Sequence, residues 1–352
     1  MTSIPAAMYA ARLHALPVDG NLPDVRVEEV DVPTPGPGEV LVKVLACGIC
    51  ASDLHVVMGV TPAGALPQTL GHEAVGDVAA LGEGVTDWQV GDRVAVLPAW
   101  ACMTCPYCVG GRENLCRNLK VPGVDVDGAQ AGYTLADARV LTHIPRSVPV
   151  EQAAILVDAV ATPYHAMKRA GVTAGTTVAV IGLGGLGMHA VALCKLAGAT
   201  VIGVDIDPVN LERAIEWGAD HVVDASDGKA ARAVRALTGL GVDRSLEFVG
   251  SNATIDQAIK MLAPGGRAVI VGLTPEALQT LPSALIVANE LEVVGSFGST
   301  MQEVNELIDL LDSGRLDLTR SVTHTYGIER FNDALMQLAD RRDNPIRIVI
   351  TH

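Results

Sequence analysis

The stretch from Thr177 to Gly187, TVAVIGLGGLG, is the feature that most constrains how this chain can fold. Its first half is a run of β-branched and small apolar residues, which is typical of a buried parallel strand. Its second half matches G-x-G-x-x-G, in which the first glycine allows a tight turn, the second lets the backbone approach a pyrophosphate, and the third lets helix and strand pack closely. The predicted dinucleotide-binding turn consists of Gly182, Gly184, Gly185, Leu186 and Gly187.

A match to G-x-G-x-x-G is not specific on its own, because glycine-rich turns are common and this chain contains 36 glycines. The alternative is an ordinary turn between a strand and a helix. The residues that follow favour nucleotide binding, since an apolar helical pattern ends at Gly198 and a second predicted strand, Thr200 to Val204, leads to Asp205. Asp205 follows Gly182 by 23 positions. This is close to the spacing of about 20 at which a carboxylate binds a ribose 2′-hydroxyl, so we expect Asp205 to have that role.

The charge of the chain excludes several classes of partner. Forty acidic residues against 25 basic residues give a formal net charge of −15, which repels nucleic-acid phosphates and anionic membrane surfaces. No basic segment leads into a long apolar run at the N-terminus, so we expect no secretory signal and a cytoplasmic location. Seven cysteines in a reducing compartment favour metal binding or catalysis over disulfides.

The apolar pattern of the chain changes character near residue 159. The 352 residues exceed the usual size of one domain, about 100 to 200 residues. In the N-terminal third, short runs such as Val25 to Val30 and Val40 to Leu45 alternate apolar and polar residues, which predicts β-strands. Beyond residue 159, strands alternate with helical stretches, which predicts an α/β fold with a doubly wound parallel sheet. The six predicted strands lie at Val178, Val201, His221 to Val223, Ser245 to Val249, Ala268 to Val271 and Leu291 to Val294.

Four cysteines follow the pattern C-x2-C-x2-C-x7-C at Cys102, Cys105, Cys108 and Cys116. Four thiolates at such spacing suit a closed tetrahedral zinc site, in which no position remains for a substrate. The alternative is a chance cluster of free thiols, which the regular offsets disfavour. We therefore predict a structural zinc ion that stabilises the loop from Pro98 to Pro122.

A second metal site would need other residues, and two short segments offer them. The first, residues 47–55, contains Cys47 and Cys50, and the second contains His72 beside Glu73. A histidine such as His72 is often a packing residue, and Cys47 with Cys50 has the spacing of a redox pair. The spacing alone leaves these alternatives open.

Together, the segments GICASDLH and GHE, the four-cysteine pattern and the turn GLGGLG resemble the zinc-dependent alcohol dehydrogenases of the medium-chain dehydrogenase/reductase superfamily. The resemblance covers essentially the whole chain, with the motifs in the same order. It implies that residues 1–158 and 297–352 form a β-rich, GroES-like catalytic domain with a structural zinc lobe, and that residues 159–296 form a Rossmann dinucleotide-binding domain. It also implies two zinc ions per chain, NAD(H) as cofactor, and a homo-oligomer, either a dimer or a tetramer.

The same resemblance implies roles for individual residues near the N-terminal motifs. Cys50 and His72 are expected to bind a catalytic zinc ion, whereas Cys47 is not. Ser52 is expected to hydrogen-bond the substrate oxygen, and His55 to end a proton relay that leads to solvent.

Residues elsewhere in the chain also acquire roles from this resemblance. Asp158 occupies the position of the third zinc ligand, where many members have a cysteine and others an acidic residue. Glu73 corresponds to a carboxylate that approaches the metal transiently, and Asp53 to one that braces a ligand histidine. Arg347 corresponds to an arginine that binds the cofactor pyrophosphate.

The activity that the resemblance implies is hydride transfer between a primary or secondary alcohol and NAD. Zinc with an open fourth position lowers the pKa of a bound hydroxyl, and the nicotinamide accepts the hydride. Asp205 would repel the 2′-phosphate of NADP, so NAD is the expected cofactor. Three alternatives stay open: a polyol or amino-alcohol (sorbitol- or threonine-type) dehydrogenase of the same superfamily, a zinc-free quinone or enoyl reductase, and a zinc-ribbon nucleic-acid-binding module, which the net charge disfavours.

Overall fold

A computed structural model of the chain describes residues 4–17 and 23–352. The chain divides into two compact units, the first formed by Met1–Asp158 with Thr300–His352 and the second by Ala159–Ser299. Buried apolar clusters lie within each unit, so each has a core of its own. Among the described residues, no helix is both long enough and apolar enough to cross a membrane.

The N-terminal part of the first unit consists mainly of strands. These strands are β1 (Ala7–Ala15), β2 (Asp24–Asp31), β3 (Glu39–Ile49), β4 (Gln68–Thr69), β5 (Glu73–Leu81), β6 (Arg93–Val96), β7 (Tyr133–Asp137) and β8 (Leu141–His143). The helices are α1 (Ala51–Val57), α2 (Pro106–Val109) and α3 (Val150–Ile155), with 3-10 turns at Glu113–Leu115 and Ala138–Val140 and a π-helical turn at Leu156–Val160.

The second unit alternates helices and strands. Its elements are α4 (Ala161–Ala170), β9 (Thr177–Ile181), α5 (Gly187–Leu196), β10 (Thr200–Asp205), α6 (Pro208–Glu216), β11 (His221–Asp224), α7 (Ala230–Thr238), β12 (Val242–Glu247), α8 (Asn252–Lys260), β13 (Leu262–Ile270), α9 (Ser283–Ala288) and β14 (Glu292–Gly295). The chain then completes the first unit with α10 (Met301–Asp312), β15 (Val322–Gly327), a 3-10 turn (Ile328–Arg330), α11 (Phe331–Asp340) and β16 (Arg347–Thr351).

The first unit is organised around β3, which at 11 residues is long enough to pair with three other strands. The seven-stranded sheet has the order β15-β16-β3-β5-β6-β8, with β7 also paired to β3, and a smaller sheet has the order β2-β1-β4. Antiparallel pairing sets Gly48 of β3 opposite Glu73 of β5, and Ile49 opposite Ile348 of β16. The ends of β3, β5 and β16 therefore meet, which brings together residues that are far apart in sequence.

All strand pairs of the second unit are parallel, and the order is β11-β10-β9-β12-β13-β14. Counted along the chain this is 3-2-1-4-5-6, the order of a doubly wound dinucleotide-binding sheet, which confirms the predicted fold class. The direction of winding reverses between β9 and β12, where such sheets bind ligands at the carboxyl ends of the strands. The glycine-rich turn follows β9 at this place.

Local interactions set the ends of some elements. The strand predicted at Ser245 to Val249 ends at Glu247, because the Glu247 carboxylate accepts hydrogen bonds from the backbone N–H groups of Val249 and Gly250, both at 2.9 Å. Helix α6 begins at Pro208, because Asp207 caps it and proline fits the first helical position.

Candidate active site

The first residue of the candidate metal cluster is held by the start of a helix. Cys50 is the N-cap of α1, and its Sγ accepts a hydrogen bond from the backbone N–H of Ser52 at 3.2 Å. The Asp53 carboxylate accepts another from the backbone N–H of Cys50 at 2.9 Å, which completes a capping box. Because both bonds involve backbone groups, the local fold fixes the position of the buried Cys50 sulfur.

His72 lies against this sulfur, with Cys50 Sγ and His72 Nε2 3.1 Å apart. The preceding residue, Gly71, has a φ of +95°, which favours glycine where the chain turns toward β5. Burial opposes a charge on the His72 ring. The Cys50 sulfur and the carboxylates of Asp53 and Asp158 outweigh burial and raise the pKa of His72 well above its usual value.

Asp158 reaches the same place from a different part of the chain. It lies in the π-helical turn Leu156–Val160, and its Oδ2 is 3.6 Å from His72 Nε2. Single π-helical turns frequently occur at functional sites. Its neighbours Val157 and Ala159 are fully buried, whereas the Asp158 side chain is 20% exposed. The Asp158 carboxylate is therefore the most accessible of the three predicted ligands.

These three side chains, together with Glu73, fit a metal ion. One ligand atom of each lies within 4.8 Å of all the others. Tetrahedral zinc with bonds of about 2.0 to 2.3 Å places ligand atoms about 3.3 to 3.8 Å apart, close to the 3.1 and 3.6 Å observed at His72. Among the described residues, the buried atoms His72 Nδ1 and Asp53 Oδ1 have no hydrogen-bond partner and lie 3.8 Å apart. Since zinc-bound histidines commonly donate their other N–H to a carboxylate, this pair fits such a site.

A buried ion pair lies beside the cluster. Arg347, at the start of β16, donates a hydrogen bond to Oε1 of Glu73, and both side chains are buried. Burial raises the pKa of Glu73 to about 7, and the Arg347 guanidinium opposes that shift. The structure thus joins two predicted site residues across 274 positions of sequence. The pyrophosphate role of Arg347 stays a prediction.

The two predicted proton-relay residues lie on α1. Ser52 and His55 are three positions apart, so they lie on the same face of the helix. Ser52 is exposed and His55 is half-buried, which gives this face access to solvent. The helix that begins at Cys50 therefore carries one predicted ligand and both predicted relay groups.

Cys47 has a different environment from Cys50. Its thiol is fully buried in the apolar core around β3 and donates to the carbonyl of Gly48 at 3.6 Å. Burial raises the pKa of the Cys47 thiol well above its usual value, which favours the protonated form. Cys50 instead contacts His72, and both cysteines are free, so this geometry does not favour a redox pair.

The four cysteines of the predicted structural site converge in a separate lobe. The sulfur atoms of Cys105 and Cys108 are 3.5 Å apart, and the pairs Cys102 with Cys108 and Cys105 with Cys116 are each 4.0 Å apart. Sulfurs bonded to zinc at about 2.3 Å in a tetrahedron lie about 3.8 Å from one another. The four free thiols therefore fit a zinc ion, and they are too far apart to be disulfides.

Backbone N–H groups point at the sulfurs of this lobe. The N–H of Cys102 donates to Cys116 Sγ at 3.3 Å, that of Cys105 to Cys102 Sγ at 3.4 Å, and that of Asn118 to Cys116 Sγ at 3.3 Å. Hydrogen bonds from the Thr104 side chain and from nearby backbone N–H groups lower the pKa of Cys102 to about 5. Such donors stabilise thiolates, which are the form that binds zinc.

The lobe also contacts the start of α10. Glu113, which lies between the last two cysteines, accepts a hydrogen bond at Oε1 from the backbone N–H of Met301 at 2.6 Å. Met301 is the first residue of α10, where N–H groups lack helical partners and the helix dipole favours negative charge. Thr300 and Glu303 form a capping box at the same helix end. The lobe is therefore tied to the C-terminal segment of the first unit.

The glycines of the predicted nucleotide turn have three distinct environments. Gly182 has a φ of +84°, which suits a tight turn directly after β9. A Cβ on Gly187 would lie 1.8 Å from the carbonyl oxygen of Gly182, so α5 packs closely on the turn. A Cβ on Gly184 would meet no atom within 4 Å, so the turn is open there. A tight turn, an open approach and close helix packing are the properties of a pyrophosphate-binding turn.

Asp205 ends β10 and hydrogen-bonds to this turn. Its Oδ2 accepts the backbone N–H of Leu183 at 2.6 Å and the side-chain amide of Asn210 at 3.4 Å. Its Oδ1 accepts the N–H groups of Ile206 and Asp207 at 2.8 and 2.9 Å. Four donors thus fix the carboxylate beside the turn, where it adds negative charge.

Some polar features of these sites carry no signal in the sequence. Gln130 is fully buried and donates to the Gly48 carbonyl at 3.0 Å, and Glu247 is fully buried at the end of β12. Neither residue belongs to a recognisable motif, and the π-helical turn at Asp158 has no sequence signature. These groups reach the sites through contacts between distant segments of the chain.

The parallel sheet, the glycine-rich turn and the two ligand clusters define a class, the zinc-dependent oxidoreductases that use a nicotinamide dinucleotide. Comparisons with known proteins identify the family. Residues 36–146 match the alcohol dehydrogenase GroES-like domain, and residues 185–313 match the zinc-binding dehydrogenase domain. The chain belongs to the zinc-dependent alcohol dehydrogenases of the medium-chain dehydrogenase/reductase superfamily.

Relatives with several substrates in their names align over most of this chain. The chain is 36% identical over 313 residues to an alcohol dehydrogenase of Geobacillus stearothermophilus, covering 88% of this chain and 91% of the relative. It is 33% identical over 354 residues to a sorbitol dehydrogenase of Bacillus subtilis, covering 99% of this chain and 98% of that relative. It is 38% identical over 321 residues to an L-threonine 3-dehydrogenase of Thermococcus kodakarensis, covering 87% of this chain and 89% of that relative.

Solved structures agree with this assignment over the full length. A zinc-binding dehydrogenase from Sinorhizobium meliloti 1021, bound to NADP, has a TM-score of 0.90 at 32% identity and covers 99% of this chain and 100% of that chain. An alcohol dehydrogenase from E. coli CFT073, complexed with NADH, has a TM-score of 0.91 at 27% identity and covers 99% and 100%. Structures of this fold thus contain either dinucleotide.

Proposed function

We propose that this protein is a zinc-dependent alcohol dehydrogenase that transfers a hydride between a primary or secondary alcohol, or its aldehyde or ketone, and NAD. The observation that carries the proposal is the convergence of Cys50, His72 and Asp158, from three separate elements, into one cluster of ligand atoms. A thiolate, an imidazole and a carboxylate leave one position of a tetrahedral zinc ion for substrate, as in catalytic zinc sites.

The side chains around the cluster have separate tasks in this proposal. When bound, a zinc ion would supply a Lewis acid for the substrate oxygen. Asp53 Oδ1, which lies 3.8 Å from His72 Nδ1, would orient the His72 ring by accepting a hydrogen bond from its Nδ1–H in the metal-bound site. Ser52, on the exposed side of α1, accepts a hydrogen bond from the substrate hydroxyl. When that proton transfers, the Ser52 hydroxyl releases its own proton to the relay, which ends at His55 and passes a proton to solvent. Arg347 holds the carboxylate of Glu73 beside the ligands.

We assign dinucleotide binding to residues 159–296 and catalysis to residues 1–158 and 297–352. The open turn at Gly184 supports a pyrophosphate site there. Asp205 supports a preference for NAD over NADP, because a second negative charge about 4 Å away costs on the order of 4 kcal/mol at an effective dielectric constant near 20. The next residues, Ile206, Asp207 and Pro208, add another acid and no base. A kcat/KM with NADP equal to or above that with NAD would overturn this preference.

We assign the four-cysteine lobe to a second, structural zinc ion, so active protein contains two zinc ions per chain. The sulfur spacings and the N–H donors around them support this assignment. Elemental analysis of active protein measures the number of zinc ions per chain directly. A ratio of one zinc or none would contradict the assignment.

We also propose a cytoplasmic homo-oligomer, a dimer or a tetramer. β14 is an edge strand of the parallel sheet, and Val287, five residues before it in the chain, is 74% exposed. An exposed strand edge and exposed apolar side chains favour association with another chain. Light scattering coupled to size-exclusion chromatography tests this, and a monomer at micromolar concentration would refute it.

The substrate class is tested with a panel of primary and secondary alcohols, sorbitol and L-threonine, each with NAD, by following the absorbance of the reduced nicotinamide. We expect turnover of simple alcohols that is lost on chelation and restored by zinc. A much higher kcat/KM with sorbitol or threonine would replace the proposal with a polyol or amino-alcohol dehydrogenase, the activities for which two relatives are named. No reaction at full zinc content with any member of the panel would overturn the proposal.

A further inference from the structure

Gln130 is a buried polar residue that the proposed mechanism does not use. Its backbone is fixed on both sides, since its N–H donates to the carbonyl of Leu70 and its carbonyl accepts from the N–H of Ala11, both at 2.8 Å. Its side chain is fully buried, and Nε2 donates to the carbonyl of Gly48 at 3.0 Å. One residue therefore bonds to the segment that precedes His72 and to the end of β3.

The side chain of Gln130 also packs on Gly71. A Cβ on Gly71 would lie 2.5 Å from Cγ of Gln130 and 2.9 Å from Sγ of Cys47, so only a glycine leaves room for this contact. Gly71 immediately precedes His72, and Gly48 lies two residues before Cys50. Gln130 thus bridges the neighbours of two predicted ligands that belong to different segments of the chain.

Gly48 connects this bridge to a third group of the site. Its carbonyl accepts from Gln130 Nε2 and, at 3.6 Å, from the thiol of Cys47. A Cβ on Gly48 would lie 2.2 Å from Oε2 of Glu73, so the Glu73 carboxylate occupies the space beside this glycine. A displacement of Gly48 would therefore move both the chain that leads to Cys50 and the carboxylate beside the cluster.

Packing alone does not account for a glutamine at position 130. Its Oε1 is buried and, among the described residues, has no hydrogen-bond partner, which is unfavourable for a polar atom. A methionine would fill a similar volume without burying an unsatisfied oxygen. Glutamine differs from methionine here in its side-chain N–H, which donates a hydrogen bond to the carbonyl of Gly48.

We infer that Gln130 is a positioning residue of the proposed catalytic metal site, and that it holds the Gly48 to Cys50 segment and the Leu70 to His72 segment at the separation that a metal ion requires. It acts through Gly48 and Gly71. The inference rests on the proposed function, because it concerns a metal ion bound by Cys50 and His72.

The test compares Gln130→Met with Gln337→Met in the full-length protein. Gln337 is a matched control, since it is buried in the first unit and its Nε2 also donates to a backbone carbonyl, that of Arg342 at 3.2 Å. Zinc content is followed during titration with a chelator, and Co²⁺ is then added to report a thiolate-to-metal absorption band. Thermal unfolding of both variants is measured alongside.

We expect Gln130→Met to bind the more weakly held metal about 10- to 100-fold less tightly, the range typical of residues that support metal ligands. In Gln130→Met, the affinity of the four-cysteine lobe for its metal should equal that of the unmodified protein. In Gln337→Met, both metal affinities should equal those of the unmodified protein. A merely structural role would change the unfolding temperature of both variants and leave metal affinity unchanged, which would overturn the inference. If Gln130→Met fails to fold, Gln130→Leu provides the same comparison, since it also lacks the donor.

Failure of the proposed function gives a different result from failure of this inference. If the unmodified protein itself binds metal only in the lobe, the assignment of the catalytic metal site is wrong, and the role inferred for Gln130 is refuted as well. If the unmodified protein binds two metal ions and Gln130→Met binds both with equal affinity, the proposed site stands and only the role of Gln130 is refuted.

Discussion

The two ligand clusters of the first unit are built in opposite ways. The four cysteines of the lobe lie within 15 consecutive positions, from Cys102 to Cys116, and are held mainly by hydrogen bonds within that segment. Cys50, His72 and Asp158 span more than 100 positions and come from a helix N-cap, the residue before a strand, and a π-helical turn. We therefore expect the lobe to depend on a bound metal for its order, and the active-site cluster to depend on the sheet that brings its parts together.

This contrast predicts that a ligand substitution in the lobe affects folding, and one in the active site affects chemistry. In a small metal-bound segment, the binding free energy is also folding free energy. At the active site, β3, β5 and the elements around them hold the ligands in place through an apolar core that contains no metal ligand.

Cys105→Ser should have the largest effect on stability. Structural zinc contributes about 10 to 16 kcal/mol of apparent binding free energy, comparable to the about 5 to 15 kcal/mol that stabilises a whole domain. We expect this variant to be mostly insoluble, or to unfold at a much lower temperature with one zinc ion fewer. Unchanged thermal unfolding with two zinc ions would show that the lobe is not a metal site.

His72→Ala should give a folded but inactive protein. Loss of the proposed catalytic metal removes several kcal/mol of transition-state stabilisation, which corresponds to a decrease in kcat on the order of 10³-fold or more. Circular dichroism and elemental analysis should find native secondary structure and one remaining zinc ion. Loss of solubility equal to that of Cys105→Ser would contradict the contrast between the two sites.

Substitutions of Asp158 test whether the third predicted ligand, like His72, affects metal binding and activity rather than folding. Asp158→Ala should reduce zinc affinity at the active site by more than the about 10- to 100-fold typical of residues outside the ligand set, because it removes a ligand. Asp158→Cys should retain metal, since it supplies another anionic ligand. Chelator competition measures both affinities. An Asp158→Ala protein with full activity and two zinc ions would refute the assignment.

Glu113→Ala should have the smallest effect, and it probes the contact between the lobe and α10. Loss of a carboxylate at a helix N-terminus typically costs about 0.3 to 1 kcal/mol. We expect faster hydrogen exchange at Met301 with kcat unchanged, whereas Glu306→Ala, farther along α10, serves as the control. Equal exchange in both variants would mean that the lobe does not stabilise this helix end.

The lobe and the parallel sheet could be predicted from the sequence because their signals are local. Four cysteines at regular offsets indicate a metal site without any knowledge of the fold. The strand from Thr177 to Ile181 is uniformly apolar and leads directly into the glycine-rich turn, so strand, turn and helix can be read together. Strand ends were less predictable. The end of β12 depends on where the Glu247 carboxylate bonds.

The active-site cluster could not be derived from spacing. His72 and the cysteine pair each had an ordinary alternative, and only the family resemblance pointed to Cys50, His72 and Asp158 as a set. The π-helical turn at Asp158 depends on the surrounding packing. The contact of Arg347 with Glu73 arises because β16 and β5 both pair with β3, and that of Gln130 with Gly48 joins segments 82 positions apart.

The spacing of the lobe sulfurs also bears on whether metal loss can be reversed. Once zinc is removed, these four thiols, three of them partly accessible and with sulfurs 3.5 to 4.0 Å apart, can be oxidised by oxygen in pairs to disulfides, which no longer bind zinc. At the active site, Cys50 faces an imidazole and carboxylates, which cannot form such a bond with it. In air, therefore, the active site can be emptied and refilled with metal, whereas demetallation of the lobe becomes permanent unless a reductant is present.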